Sequence, residues 1–434
     1  MTPDRPEEED DTDVDPERDL SITADVANPE EVLGAIDDVA YPTELIGPSH
    51  VMRLGRAGKP LVVFFGAKDL AEGRYNFVQP GGELNAHVLF VNNGANHWYQ
   101  WGIPGFGNNF TETLACLRCW QVALKAPEIC LIGTSMGGYA AIQYGAALGA
   151  RVLAFSTDAT LASEFSRSAN HYTGAKSGLG APSCDDLRPV VAQTQANITL
   201  IVGERDWGDV YGAHQLAMAG AVRVISLIGV DHWVPSLLTR QSRLGPMLRA
   251  FAAGKDLPVQ QDAGSAAMHP DYAKLLYAAH LAGYRNDWAD AEAKARAALL
   301  AYPDGEAAEM ILGWALIKLD RHVEAIEPLA RAVASQPTDV ETLHRLSLAL
   351  RRAGATQRAR QISRQVLVLD PGYHAAHYAL GMILMQDGNL KGAHDAVAIA
   401  LRIMPKNASY RERLADIAKR MTKKRPAKPA ESEV

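Results

Sequence analysis

A serine flanked by glycines, in the segment G-T-S-M-G at residues 133–137, is the first feature of this sequence that could perform chemistry. Residues 128–133 are almost all apolar, and residues 138–141 (G-Y-A-A) let a helix pack closely. Between a strand and a helix, this pentapeptide holds its serine in a sharp turn at the end of the strand. Ser135 is therefore a candidate nucleophile, and the N–H of Met136, at the start of the helix, is a candidate oxyanion donor. The alternative is a glycine-rich turn with a capping serine.

An acid and a histidine follow later apolar segments, in the order that such a serine needs. Residues 197–203 are followed by Asp206 and Asp209, and residues 222–228 are followed by His232. The histidine would take the serine proton during attack and return it to the leaving group, while the aspartate orients the imidazole. We expect Asp206 to be the acid, because it comes directly off the strand. Asp209 is the alternative acid, or else the N-cap of the next helix.

Two further loops should lie at the same edge of the sheet as Ser135. The loop after residues 60–65 contains Ala67, whose N–H is the best candidate for a second oxyanion donor, with Lys68 next. The loop after residues 87–92 reads N-N-G-A-N-H-W-Y-Q-W and is rich in aromatic side chains. We expect these side chains to line the substrate site, with packing under the loop as the alternative. They are Trp98, Tyr99 and Trp101.

Six short apolar segments between residues 44 and 232 would position these groups. They lie at residues 60–65, 87–92, 128–133, 151–155, 197–203 and 222–228. Each is nearly continuous in its apolar character rather than alternating, which indicates strands that are covered on both faces. The longer intervals between them allow crossover helices. This half of the chain is therefore predicted to be an α/β domain with a mostly parallel sheet and flanking helices.

The catalytic motif and the order of its partners resemble the α/β-hydrolases. The resemblance rests on the G-x-S-x-G at residues 133–137 and on the order Ser135, Asp206 or Asp209, His232. It implies esterase, deacylase or thioesterase chemistry on a small acyl ester, with no cofactor. Such enzymes commonly carry a lid where residues 158–196 lie, but this stretch is polar and small, which argues against long acyl substrates.

The C-terminal half has a period of 34 residues. The markers are Pro303, Pro337, Pro371 and Pro405, Ala291, Ala325, Ala359 and Ala393, and the small residues Ala279, Gly313, Ser347 and Gly381. Small residues let two helices approach closely, and proline ends the second helix of each pair. The pattern resembles the tetratricopeptide (TPR) repeat, which implies four helical hairpins over residues 271–405 and a groove for a protein or peptide partner. Residues 407–421 are predicted to form an end helix.

Composition sets the boundaries and excludes several classes of protein. The prediction is an acidic tail (1–25), an α/β-hydrolase-like domain (26–253), a linker (254–270), a TPR-like domain with its end helix (271–421) and a basic tail (422–434). Residues 1–20 hold ten acids and two arginines, a net charge of −8, against −7 for the whole chain. The remainder is therefore near +1, which gives no field for nucleic acid.

No apolar run is long enough to span a membrane, no secretory signal is recognisable, and four cysteines are too few for a disulfide scaffold. We therefore expect a cytoplasmic protein. No metal-binding motif stands out, and Cys116 and Cys119 have no second pair with which to form a zinc site. The leading hypothesis is a serine hydrolase with a partner-binding repeat domain. The alternatives are a non-enzymatic adaptor with a degenerate scaffold, and an acyltransferase that uses the same triad.

Overall fold

A computed structural model describes residues 21–22, 28–34, 44–164, 168–169, 172 and 181–423. The chain forms two compact units, Met1–Tyr277 and Ala278–Val434, called unit 1 and unit 2 below. The predicted acidic tail except residues 21–22, the predicted basic tail except residues 422–423, and part of the interval 158–196 lie outside the described residues. None of the described helices has the length and apolar character that a membrane span requires.

Unit 1 is built on a ten-stranded mixed sheet with the order β1-β2-β3-β5-β4-β6-β7-β8-β9-β10. The strands are β1 (Ser21–Ile22), β2 (Glu44–Gly47), β3 (His50–Arg53), β4 (Leu61–Phe65), β5 (His87–Val91), β6 (Ile129–Thr134), β7 (Arg151–Phe155), β8 (Asn197–Gly203), β9 (Val222–Leu227) and β10 (Ala263–Gly264). The six predicted segments are β4 to β9, and they pair in parallel. Strand β3, which was not predicted, is antiparallel to both β2 and β5.

The helices described in unit 1 are α1 (Pro29–Gly34), α2 (Val78–Gly82), α3 (Phe110–Ala123), α4 (Met136–Leu148), α5 (Leu187–Gln193), α6 (Trp207–Ala219), α7 (Val234–Arg240) and α8 (Leu244–Ala252). Both faces of the sheet are buried. Along β4, Leu61, Val63 and Phe65 belong to one apolar core, whereas Val62 and Phe64 belong to the other. Because successive side chains of a strand point to opposite faces, this division places one core on each side of the sheet.

The predicted linker at residues 254–270 is instead part of the fold of unit 1. Ala263 and Gly264 form β10, which pairs with β9, and Ala266 and Ala267 are fully buried. The Ala266 N–H donates to Glu204 Oε1 at 2.8 Å. The polar composition of this stretch suggested a free linker, but its polar groups form hydrogen bonds and an ion pair with residues of unit 1. The boundary between the units falls later, after Tyr277.

The next helices are α9 (Pro270–Tyr284), α10 (Trp288–Ala301), α11 (Glu306–Lys318), α12 (His322–Ser335), α13 (Val340–Arg352), α14 (Thr356–Leu369), α15 (His374–Gln386), α16 (Leu390–Ile403) and α17 (Ala408–Lys423). The prediction of helical repeats is confirmed. Each marker proline lies two residues beyond the end of a helix. A Cβ on Gly313 would lie 2.4 Å from Leu329 Cγ, and one on Gly381 would lie 2.6 Å from Val397 Cγ2, so these glycines allow their helices to pack closely.

Candidate active site

Ser135 lies in a strained turn between β6 and α4. Its backbone angles are φ 53° and ψ −115°, which are neither helical nor extended. A non-glycine residue with positive φ is uncommon, and such strain concentrates at functional sites. The Ser135 side chain makes no capping hydrogen bond to α4. The turn therefore holds the serine at the carboxyl end of β6, and the alternative of an ordinary capping serine does not describe it.

The two glycines that flank this turn have no room for a side chain. A Cβ on Gly133 would lie 2.1 Å from the carbonyl oxygen of Gly137. A Cβ on Gly137 would lie 2.2 Å from the carbonyl oxygen of Phe65, at the end of β4. The obstacles are backbone atoms, which cannot rotate away as a flexible side chain would. Glycine at both positions is therefore required for α4 to start so close to the sheet.

Gly137→Ala is expected to lower the free energy of unfolding by about 3 kcal/mol or more, because strand β4 and helix α4 would have to separate. The measurement is urea denaturation followed by circular dichroism. The control is Gly245→Ala in helix α8, where the added methyl would meet only the end of the Arg249 side chain. Equal stability of the two variants would contradict the packing described for this turn.

His232 follows β9 and is held by a carboxylate. Its Nδ1 lies 2.9 Å from Asp209 Oδ1, and both side chains are buried. Asp206, which the sequence favoured as the partner of the histidine, instead caps helix α6, where its Oδ1 accepts from the Asp209 N–H at 2.9 Å. The roles expected for the two aspartates are therefore exchanged. Asp206 is the N-cap of the helix, and the side chain of Asp209, three residues later, contacts His232.

The loop that carries His232 packs directly on the end of β8. A Cβ on Gly203 would lie 2.3 Å from the carbonyl oxygens of Val230 and Asp231. This close approach brings the histidine loop against the start of α6, where Asp209 lies. Ser135 and His232 share no hydrogen bond within the described part of the chain. In free enzymes this contact is often long and shortens when substrate binds.

A third carboxylate, which the sequence analysis did not single out, lies near this pair. Asp158 follows β7, and its Oδ2 accepts from the Ser168 N–H at 3.1 Å. Burial raises the pKa of Asp158, the negative charge of Asp209 raises it further, and the charge of protonated His232 lowers it. The available signal was an acid directly after a predicted strand, the same signal that pointed to Asp206.

A small cavity adjoins Asp158 and the first turns of α6. The side chains that line it include Trp207, Tyr211 and Tyr277. The Tyr211 and Tyr277 rings stack with their centres 4.1 Å apart, and the Tyr277 hydroxyl donates to Glu164 O at 2.8 Å. These aromatic groups line the cavity beside Asp158, and no sequence motif marks them.

The loop that carries the second candidate oxyanion donor lies against the serine turn. Met136 is the first residue of α4. A Cβ on Gly137 would lie 2.9 Å from the carbonyl oxygen of Gly66, so the Gly66–Ala67 peptide group lies against the serine turn. The Ala67 N–H donates to Asn76 Oδ1 at 2.7 Å. Lys68, the second choice for this donor, forms an ion pair with Asp69 through its side chain.

Of the three aromatic residues expected to line the substrate site, two are core residues instead. Trp98 is 2% exposed and Tyr99 is 0% exposed. Trp101 is half-buried, with its ring stacked on that of Tyr172 at 6.3 Å. The loop therefore turns its first two aromatic side chains inward, as the packing alternative proposed, and leaves Trp101 nearest to solvent.

Asp206, Asp209 and His232 form a group of the kind that can hold a metal ion. Each offers one ligand atom, and these atoms lie within 4.8 Å of one another. One oxygen of each aspartate already accepts a hydrogen bond within the group. The same three residues can therefore be interpreted as a metal site or as a helix cap joined to a carboxylate–histidine pair. A chelator would remove activity only in the first case.

Family models of the tetratricopeptide repeat match residues 276–340 and 350–417. The C-terminal region therefore carries tetratricopeptide repeats. Solved structures similar to this chain include the following three. YrrB, a TPR protein with an unusual peptide-binding site, is 23% identical, with 43% of this chain and 88% of YrrB covered and a TM-score of 0.32. A TPR protein from Parabacteroides merdae is 20% identical (35% and 61% covered, TM-score 0.32). MamA from Desulfovibrio magneticus RS-1 is 16% identical (40% and 93% covered, TM-score 0.31). No curated protein matches the chain.

Proposed function

We propose that unit 1 is a serine hydrolase of the α/β-hydrolase type and that it cleaves ester or thioester bonds with Ser135, His232 and Asp209. The observation that carries the proposal is the strained backbone of Ser135 between β6 and α4, with glycine required on both sides. A turn of this kind presents a serine hydroxyl at the end of a sheet. His232 and Asp209, which are joined by a hydrogen bond, supply the other two members of a triad.

The order of the elements supports the same proposal. Ser135 follows β6, Asp209 lies in the helix after β8, and His232 follows β9. The three strands run parallel, so their carboxyl ends lie at one edge of the sheet. Chain order Ser, Asp, His is the order of the α/β-hydrolases.

In the proposed reaction, Ser135 Oγ attacks the carbonyl carbon and His232 takes its proton. Asp209 holds the imidazole through Nδ1, which leaves Nε2 for the serine. The tetrahedral oxyanion accepts hydrogen bonds from the N–H groups of Met136 and Ala67. Collapse of this intermediate expels the alcohol or thiol, which receives the proton from His232. Water then attacks the acyl-serine by the same route and releases the acid.

Hydrolysis of p-nitrophenyl esters of graded chain length tests the reaction. Turnover that depends on the protein, with a preference for short acyl chains, supports the proposal. Added alcohols or thiols distinguish an acyltransferase, since an acceptor would then give a new ester faster than water gives the acid. Absence of turnover on every ester and thioester would favour the non-enzymatic adaptor.

A chain that ends at Ala253 is expected to be less stable than one that ends at Tyr284. The shorter chain lacks Asp262, which pairs with Arg243, and Ala266, whose N–H satisfies the buried Glu204. Losing a hydrogen bond to a buried carboxylate costs about 1–3 kcal/mol, and we expect the melting temperature to fall by about 5 °C or more. Differential scanning calorimetry measures both chains.

The chain that ends at Tyr284 also tests whether the repeats take part in catalysis. It contains every residue assigned a role in the reaction, so its kcat on a small ester should be within about twofold of the full-length value. A folded but inactive chain would mean that later residues complete the site. Equal melting temperatures of the two shortened chains would contradict the role assigned to residues 254–270.

We infer that unit 2 binds a protein or peptide partner and that the partner carries carboxylates. Arg351, in α13, is half-buried, and its buried Nε has no hydrogen-bond partner among the described residues. Burial lowers the pKa of its guanidinium, and the charges of Arg352 and Arg413 lower it further. A partner carboxylate would relieve this repulsion, since a bidentate contact with arginine is strong and directional.

Arg351→Gln is expected to weaken binding of a fluorescein-labelled glutamate-rich peptide by about tenfold, because a charged hydrogen bond is lost. Fluorescence anisotropy in low salt measures the dissociation constant. The control is Arg358→Gln, which removes an exposed cation from α14 and should change the affinity little. Equal losses in both variants would indicate general charge attraction rather than a site at Arg351.

A further inference from the structure

The peptide group between Gly66 and Ala67 is held from its carbonyl side by Tyr99. The Tyr99 hydroxyl lies 3.1 Å from Gly66 O, which accepts from it. In a trans peptide group, the C=O and the following N–H lie in one plane and point in opposite directions. A hydrogen bond to the Gly66 oxygen therefore fixes the direction of the Ala67 N–H, the candidate oxyanion donor.

Two carbonyl oxygens lie within reach of the one proton of this hydroxyl. Val91 O also lies 3.1 Å from the hydroxyl, but a hydroxyl has one proton to give. Val91 O already accepts the N–H of Gly66 at 2.9 Å. Burial raises the pKa of Tyr99, so the phenol stays protonated and acts as a neutral donor.

The backbone at Tyr99 and at the residue before it is strained. Trp98 and Tyr99 both have positive φ, at 49° and 57°, although neither is glycine. Tyr144 donates to Tyr99 O at 3.0 Å, and the Tyr99 ring meets that of Phe65 edge-on at 5.1 Å. Two adjacent strained residues persist only where their surroundings hold them, and such strain marks sites with a function.

We propose that Tyr99 is a positioning residue for the reaction, which aligns the Gly66–Ala67 peptide so that the Ala67 N–H faces the developing oxyanion. In this role Tyr99 supports the site from within the core instead of lining it, as was expected from the sequence. The proposal rests on the proposed serine hydrolase. In the free protein Asn76 Oδ1 accepts the Ala67 N–H, and the substrate oxygen shares or replaces this contact as its charge develops. Tyr99 itself touches no reacting atom.

The test compares Tyr99→Phe with Tyr139→Phe in the full-length chain. Tyr139 is an equally buried tyrosine whose hydroxyl donates to another backbone carbonyl, Cys184 O, at 3.2 Å. Both variants lose one buried hydrogen bond, but only Tyr99→Phe loses the one to Gly66. We expect Tyr99→Phe to lower kcat and the rate of reaction with a fluorophosphonate by about tenfold or more, with KM unchanged within twofold. Tyr139→Phe should retain most of both rates.

Equal rates in the two variants would overturn the proposal, as would a loss in Tyr99→Phe that appears only in KM. If Tyr99→Phe does not fold, 3-fluorotyrosine at position 99 keeps the ring and hydroxyl and makes the hydroxyl a stronger donor. The acylation rate should then rise, and an unchanged rate would overturn the proposal. Failure of the proposed hydrolase is a separate outcome, in which the unaltered protein itself does not react with the fluorophosphonate.

Discussion

Ser135→Ala is expected to lower kcat for ester hydrolysis by about 10⁴-fold or more and to leave the fold intact. The size of the loss follows from the way a triad works, since removing the nucleophile costs almost as much as removing every member. Alanine is close to serine in size, and the Ser135 hydroxyl makes no capping bond whose loss would destabilise α4. Steady-state kinetics and thermal melting measure the two effects.

Ser156→Ala is the matched control for this variant. Ser156 also has positive φ, at 46°, follows the neighbouring strand β7, and is fully buried. Its hydroxyl has no partner among the described residues. Removing this hydroxyl should leave kcat within about threefold of the starting value. A folded Ser135→Ala protein that hydrolyses esters as fast as Ser156→Ala would contradict the assignment of the nucleophile.

Asp209→Asn is expected to lower kcat by about 10³–10⁴-fold, because an amide cannot hold the imidazole in the required tautomer or stabilise its charge. Asp206→Asn should have a much smaller effect on kcat, since asparagine is also a good N-cap. Asp206→Ala should lower the free energy of unfolding by about 1 kcal/mol through loss of the cap. Kinetics and urea denaturation of the three variants separate the roles.

A larger loss of kcat in Asp206→Asn than in Asp209→Asn would restore the assignment that the sequence favoured. A metal held by Asp206, Asp209 and His232 predicts a different pattern, in which both asparagine variants lose activity and a chelator removes it from the unaltered protein. The triad predicts full activity after dialysis against EDTA.

Most of the sheet could be predicted because its central strands are buried on both faces. Nearly continuous apolar runs mark β4 to β8, and the run in β9 is interrupted only by Arg223 and Ser226. The hairpin of β2 and β3 was not predicted because both strands are short, and the second strand, H-V-M-R, gives no long apolar run. The serine turn was recognisable because glycine at positions 133 and 137 is dictated by contacts between backbone atoms.

The choice between Asp206 and Asp209 could not be made from the sequence. Both follow β8 within six residues of its end, and the choice depends on where α6 begins. The helix starts at Trp207, which makes Asp206 the cap and leaves Asp209 in the first turn. The burial of the Trp98 and Tyr99 side chains could not be predicted either, because it depends on the left-handed backbone conformation of both residues. The repeats were predictable, since every unit has the same marker positions.

The mass of the intact protein after reaction with a fluorophosphonate tests the central claim most directly. The serine oxygen displaces fluoride from phosphorus, so one covalent adduct forms on an activated serine. The account predicts a single adduct, mapped by peptide sequencing to Ser135, no adduct in Ser135→Ala, and an undiminished adduct in Ser156→Ala. A protein that forms no adduct, or one whose adduct survives the change of Ser135, would contradict it.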